Sequence, residues 1–314
     1  MQDWKEIYVQ HKFPLYLFSQ TDLADVLKKR NWPSRLYKYR SFSDFHTNAL
    51  SDFSVWLSTP IGFNDTRDCS YNINPHRQMN FILSKSKESI LELAEILLLD
   101  ERQKASLCNS KAPHTDIMNI IRQTMPGAAA DELSELYNYL FEESILSEFN
   151  KKLKQRFHVC SLSAKRDSPL MWAHYANEHK GFCVEYNVED LPGNSNEFFD
   201  MIHPVFYTDN IFDATSYLIA TTPELKNPEF LQQAALIKTK DWAYEDEWRL
   251  MVESSGEEGR FLRFEKPSAI YLGERTETDK IEWMLKFCTS HHIMCFLMKT
   301  DPKSVGMAVG RRLT

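Results

Sequence analysis

The sequence predicts an α+β domain over residues 1–314 whose sheet is divided by a helical insertion at residues 78–155. Three observations carry this prediction. Short segments alternating at period two occur before residue 60 and return after residue 156, as strands require. Between them, apolar residues recur at spacings of three and four, the repeat of amphipathic helices. Glycine is scarce, nine in 314 residues, and neither G-x-G-x-x-G nor G-x-x-x-x-G-K occurs, which argues against the nucleotide folds built on glycine loops.

Along the chain, Thr21 to Lys29 opens like a helix capped by Thr21 and Asp22. Arg35 to Ser41 and Phe53 to Ser58 alternate as strands around a helix near Asp44 to Asp52, and Thr59 to Asp65 is a turn-rich loop. Within the insertion, Ser86 to Leu99 has a broad apolar face. Ala128 to Lys154 repeats its apolar face through Leu133, Leu136, Tyr137, Leu140, Ile145 and Phe149. Beyond it the pattern predicts strands near 157–162, 181–187 and 203–207, a helix over Glu229 to Ile237, and strands Trp248 to Glu253 and Ala269 to Leu272. A helix over Asp279 to Cys288 and a final strand, Ile293 to Lys299, follow. His291 and His292 cap or flank a strand, and Arg311-Arg312 form a solvated tail.

The composition, 43% hydrophobic, supplies a core. A net charge of −7 gives no field that would draw duplex nucleic acid or an anionic membrane. The start of the chain has no basic-then-apolar leader, and no apolar run approaches the roughly 18 residues of a membrane span, so a cytoplasmic location without a membrane partner is expected. Six scattered cysteines without a C-x-x-C pair read as buried reduced thiols. His174 and His179, five apart, do not share a helix face, and no metal is expected. Lys151 to Arg156 reads as the cationic end of a helix.

Two segments concentrate chemistry. Cys160 to Tyr186 places hydroxyls, imidazoles and aromatics between two apolar runs, a common way to floor a pocket. In Lys238 to Val252, Glu245 and Glu247 stand two apart at the start of a strand and so point to one face. They either work chemically or pair with Lys238, Lys240 or Arg249 on a sheet surface. His174 is either a general acid/base or a half-buried histidine fixing the Trp172 to Gly181 turn. Asn64 and Asp65 either touch a ligand at the cleft rim or form an ordinary turn.

The chain resembles the bacterial DUF2971 family, named only as a domain of unknown function. The resemblance lies in Leu36-Tyr37-Lys38-Tyr39-Arg40, in Trp56 to Pro60 with Phe63-Asn64-Asp65, in Met171 to Ala176 with His179 to Phe182, and in Trp242 to Leu250. Arg40, Ser161-Leu162-Ser163 and Glu245-Asp246-Glu247 also resemble, in order, the arginine, serine-x-serine and glutamate-x-glutamate of ADP-ribosyltransferases. That second resemblance implies a split, mostly antiparallel sheet and an NAD-binding cleft. Glu247 would stabilise an oxocarbenium-like transition state and Arg40 would clamp a phosphate of NAD. Ser161 and Ser163 would orient Glu247 or the ribose, and Tyr39, Trp172 or Tyr175 would stack on nicotinamide. Tyr244 and His174 would line the cleft, and Glu245 would activate the acceptor. The expected activity is ADP-ribosyl transfer or NAD hydrolysis, in bacterial stress or phage defence, on an unknown acceptor. The competing expectation is a non-catalytic sensor or interaction module whose pocket binds a nucleotide or a partner segment.

Overall fold

The structure is a computed structural model and describes residues 2–17, 22–125, 127–140, 146–189, 196–254, 256 and 258–314, without the side chains of 137, 138, 140 and 196. Helix α1 (Trp4–Lys12) begins where the Asp3 carboxylate accepts from the Lys5 amide, satisfying one of the free donors of a first turn. Helix α2 (Leu23–Arg30) follows Asp22; the expected cap Thr21 lies outside the described residues. Strand β1 (Arg35–Arg40), helix α3 (Asp44–Ser51), capped by Ser43, and strand β2 (Ser54–Ser58) stand where the alternation places them. The loop after β2 leads to a two-residue strand, β3 (Tyr71–Asn72).

The helical block starts at Pro75, a little before the expected boundary, because Asn74 caps and Pro75 occupies the first helical position. It comprises α4 (Pro75–Lys85), α5 (Lys87–Ile96), α6 (Glu101–Cys108), α7 (Pro113–Thr124), α8 (Gly127–Leu140) and α9 (Ser147–Gln155). Residues of α4 to α7 pack around their own apolar cluster, which includes Leu83, Ile90, Leu107 and Ile117. The helical repeat expected from Ala128 to Lys154 holds α8 and α9, with residues 141–145 outside the described residues, and Leu133 and Leu136 are exposed rather than facing a core. Ile145 and the side chains of Tyr137 and Leu140 lie outside the described residues.

Next come β4 (Phe157–Ser163), α10 (Pro169–Tyr175), β5 (Phe182–Asn187), β6 (Ile202–Pro204), β7 (Phe206–Tyr207), β8 (Phe212–Asp213), β9 (Ile237–Lys238), β10 (Glu247–Glu253), β11 (Gly259–Arg263) and β12 (Ala269–Leu272). The helix Thr278–His291 and strands β13 (Met294–Thr300) and β14 (Met307–Arg312) complete the chain. Four expectations change. The single strand at 203–207 is two, because β6 pairs with β10 whereas β7 pairs with β9 in a separate two-stranded sheet. The helix expected over Glu229 to Ile237 is a 3₁₀ segment, Phe230–Leu236, that runs straight into β9. Arg311 and Arg312 belong to β14, whose pairing with β13 supplies backbone bonds that a solvated tail would lack, while their side chains stay exposed. Finally, β11 was not anticipated from the sequence pattern.

The main sheet runs β11-β2-β4-β1-β5-β12-β13-β14, with β10 on β4 and β6 on β10; its pairings are antiparallel except β12 with β13. Side-chain alternation gives it two apolar faces. Leu36, Leu162, Phe182, Val184, Leu250 and Leu272 face a core shared with α3 and the helix Thr278–His291. On the opposite face, Val159, Phe157 and Met251 meet α1, and Tyr37, Tyr39, Cys183 and Tyr271 meet α10. Among the described residues no helix is long and apolar enough to cross a membrane. The six cysteines are free, five of them buried.

The turn from α10 to β5 depends on a close approach. Asn177, Glu178 and His179 take left-handed backbone angles, and a Cβ on Gly181 would collide with the Arg40 carbonyl oxygen and lie 2.8 Å from that of Ala176. Gly181→Ala is expected to destabilise the fold by about 1–3 kcal/mol, the usual cost of overpacking. Urea unfolding would register this as a lower midpoint with an unchanged slope.

Candidate active site

The sheet opens where β4 changes neighbours. Along one edge, β4 pairs with β10 through seven positions, from Glu247 opposite Ser163 to Glu253 opposite Phe157. Along the other, it meets β1 at Ser163, opposite Tyr37, and β2 at Val159, opposite Ser58. Between these contacts β1 and β2 diverge, and a cavity of about 420 Å³ fills the gap. The Ser161 carbonyl in this stretch accepts from the Lys38 amine, a side chain supplying the bond that a neighbouring strand would otherwise give.

Register brings distant residues together. Tyr37, Ser163 and Glu247 stand side by side on three strands, and Ser161 sits opposite Arg249. Lys38 and Arg40 alternate to the other face of β1, yet both line the cavity because the sheet is open beside them.

The carboxylates are fixed by a buried ion network. The Arg249 guanidinium, fully buried, donates to both Asp68 oxygens at 2.8 and 2.6 Å and to both Glu247 oxygens at 2.8 and 3.1 Å. The Lys238 amine donates to Glu245 at 2.6 Å and Glu247 at 3.3 Å, and stands 3.7 Å from Asp68. The Glu247 amide donates to the Tyr207 hydroxyl at 2.8 Å, which fixes the start of β10. Burial alone would raise Glu247, but Arg249, Lys238 and a hydrogen bond from Ser161 outweigh it and hold the carboxyl well below the usual range. Glu245 is raised, by burial and then by Glu247, against Lys238 and the Tyr175 hydroxyl that donates to it at 2.6 Å. Two neighbouring carboxyls thus have opposed proton affinities, an arrangement that suits a fixed anion beside a proton carrier.

Glu245 does not start the strand as expected. It ends a 3₁₀ turn, Lys240–Glu245, and Asp246 takes a left-handed conformation, φ 43°, before β10 begins at Glu247. The two carboxylates therefore converge through a corner rather than through strand alternation. Outside that corner, the Lys5 amine pairs with Asp246 at 2.9 Å, so α1 braces it.

Of the residues singled out from sequence, Tyr39, Arg40, Asn64, Ser161, Ser163, Tyr175, Glu245 and Glu247 line the one cavity. Four do not line it. Trp172 is fully buried beneath it, its indole donating to the Arg166 carbonyl at 2.8 Å and its ring meeting Tyr39 edge-on at 5.3 Å, so it supports Tyr39 instead of stacking on a ligand. His174 is exposed and hydrogen-bonds the Tyr244 hydroxyl at 2.9 Å; the turn it was expected to fix is held by backbone bonds instead. Tyr244 faces His174 and Trp242. The Asp65 carboxylate is spent within its turn, accepting from the Arg67 amide at 2.9 Å. Ser163 lines the cavity but is structurally occupied, its hydroxyl donating to the Glu245 carbonyl at 2.5 Å. The suggested pairing of the two glutamates with Lys238 and Arg249 is present, but buried, where a surface pairing had been envisaged.

Asp68 and Lys38 escaped the sequence reading. Lys38 was legible in principle, because the period of β1 puts it on one face with Arg40. Asp68 carries no local signal and joins the site only through tertiary packing. Among the described residues no group of His, Cys, Asp or Glu is arranged to hold a metal ion.

Comparison with curated proteins and with solved structures returns no match. Residues 171–250, which include most of α10, all of β5 and both cavity glutamates, match the family described as "Protein of unknown function (DUF2971)".

Proposed function

We propose that the cavity binds NAD and that the protein breaks the bond between nicotinamide and ribose, passing ADP-ribose to an acceptor or to water. One observation carries this reading: an arginine, two serines and two glutamates from three segments far apart in sequence line a single cavity of about 420 Å³, within the range of small-molecule sites.

In this reading, the bond from ribose C1′ to the pyridinium nitrogen breaks with its electron pair leaving on nicotinamide. Positive charge then develops on the ribose. Glu247, kept ionised by Arg249 and Lys238, stabilises that charge from a position already paid for in folding. Arg40 holds phosphate through its planar fork, and Tyr39 and Tyr175 line the cavity. The acceptor hydroxyl or water adds to C1′, and its proton passes to Glu245, whose raised affinity suits it to receive one. A role in bacterial stress or phage defence is part of this proposal.

A second reading is favoured by one specific feature. Glu247 already accepts from two nitrogens of Arg249 and from Lys238, which suits a network that shapes a pocket for a non-catalytic nucleotide sensor. Calorimetric titration with NAD, coupled to chromatography for free nicotinamide with and without cell extract, separates the two. Binding with release is the expected result; binding without release assigns a sensor, and no binding removes the NAD reading.

A further inference from the structure

Two cations line the cavity from β1, and among the described residues neither makes an ion pair with a carboxylate. Lys38 and Arg40 are half-buried, two residues apart on one face of the strand. Within the protein the Lys38 amine donates to the Ser161 carbonyl, a neutral acceptor. Among the described residues no carboxylate lies within ion-pair distance of either side chain, whereas Lys238, which also lines the cavity, and Arg249, buried behind it, are matched to Asp68, Glu245 and Glu247. Like charges held close and partly removed from water are costly unless a counter-charge compensates them.

We infer that Lys38 and Arg40 together form an anion subsite that takes a diphosphate group, Lys38 as a point charge and Arg40 as a fork. The subsite rests on the same cavity as the NAD reading but does not depend on turnover. It makes Lys38 a determinant of affinity for ligands bearing two adjacent phosphoryl groups over the corresponding nucleosides.

The surroundings add a pH signature. The groups facing Lys38 are Arg40 on its own strand, Cys160 on β4, Glu247 at the start of β10, His46 on α3 and Tyr186 on β5. Burial, then Arg40, lowers the amine to about 8, so its charge is fully present at pH 6 to 7 and is lost as pH rises through that value.

The test uses the full chain and inorganic pyrophosphate, ADP and adenosine as probes, with calorimetry and thermal melts. Pyrophosphate and ADP are expected to bind and adenosine to bind at least about tenfold more weakly. Lys38→Met is expected to weaken pyrophosphate about tenfold or more, at a ligand-free melting temperature in which relief of repulsion with Arg40 is set against the lost bond to the Ser161 carbonyl. A Lys38 that merely propped up the Ser161 carbonyl would lower that temperature and leave pyrophosphate affinity unchanged. Lys38→Arg keeps the charge at every pH, so the ratio of wild-type to Lys38→Arg dissociation constants is expected to rise between pH 7 and 9, with pyrophosphate's own titration cancelling. Equal affinity for adenosine and ADP, or a Lys38→Met variant that binds pyrophosphate like wild type, overturns the subsite. Lys38-dependent pyrophosphate binding without nicotinamide release from NAD keeps the subsite and removes the transferase reading.

Discussion

Arg249→Met is expected to lower the stability of the fold by about 3–5 kcal/mol, the cost of removing one partner from a buried ionic network. The guanidinium is fully buried and is the shared partner of Asp68 and Glu247, and it also donates to the Ala235 carbonyl at 2.6 Å. Without it, Asp68, Glu245 and Glu247 face Lys238 alone, three buried carboxylates against one cation. Burial would then force protons onto them. The loss should be partly reversed by adding Asp68→Asn, because the second change removes an uncompensated charge that the first creates. Urea unfolding of wild type, both single variants and the double variant measures this coupling. A loss below about 1 kcal/mol would mean that water reaches the network and solvates it.

Glu247→Gln is expected to cost less stability than Arg249→Met, leaving the protein folded, and to slow nicotinamide release by about 10²- to 10³-fold, the usual cost of deleting one preorganised electrostatic group. The contrast with Arg249 follows from charge balance. Glutamine leaves two carboxylates, Asp68 and Glu245, with two cations, Lys238 and Arg249, and its amide oxygen still accepts from the Arg249 side chain. Acid unfolding reports on the same charge. A carboxyl whose folded proton affinity is depressed contributes stability that is complete above the ordinary carboxylate range and is lost as pH falls from that range toward its lower folded value. Wild type should therefore lose more stability than Glu247→Gln as pH falls below about 4, the ordinary carboxylate range, whereas Glu245, raised in the fold, contributes with the opposite sign.

Much of the strand framework was legible because short strand-length runs are a local signal. Arg35 to Arg40 alternates side-chain types, Phe157 to Leu162 and Trp248 to Glu253 are mostly apolar runs, and the folded strands follow them, with β4 and β10 buried on both faces. Features set by partners were not. β11 has no alternating burial of its own and exists because β2 needs a neighbour, and β14 stands where two arginines read as a tail. In the site, Ser161 and Glu247 were legible as residue types at strand ends. The convergence of Glu245 depends on a left-handed Asp246 and a corner braced by Lys5, which spacing cannot encode. Trp172 shows the converse: a large aromatic beside hydroxyls reads as a stacking surface, but tertiary packing places it beneath Tyr39.

The most direct measurement is the rate at which free nicotinamide appears from NAD with wild-type protein and with Glu247→Gln at matched folding, verified by circular dichroism and melting temperature. The expected result is release by the wild type and a rate at least about 100-fold lower in the variant. Equal rates in the two proteins, or no release by wild type with or without cell extract, would contradict a catalytic role for the cavity.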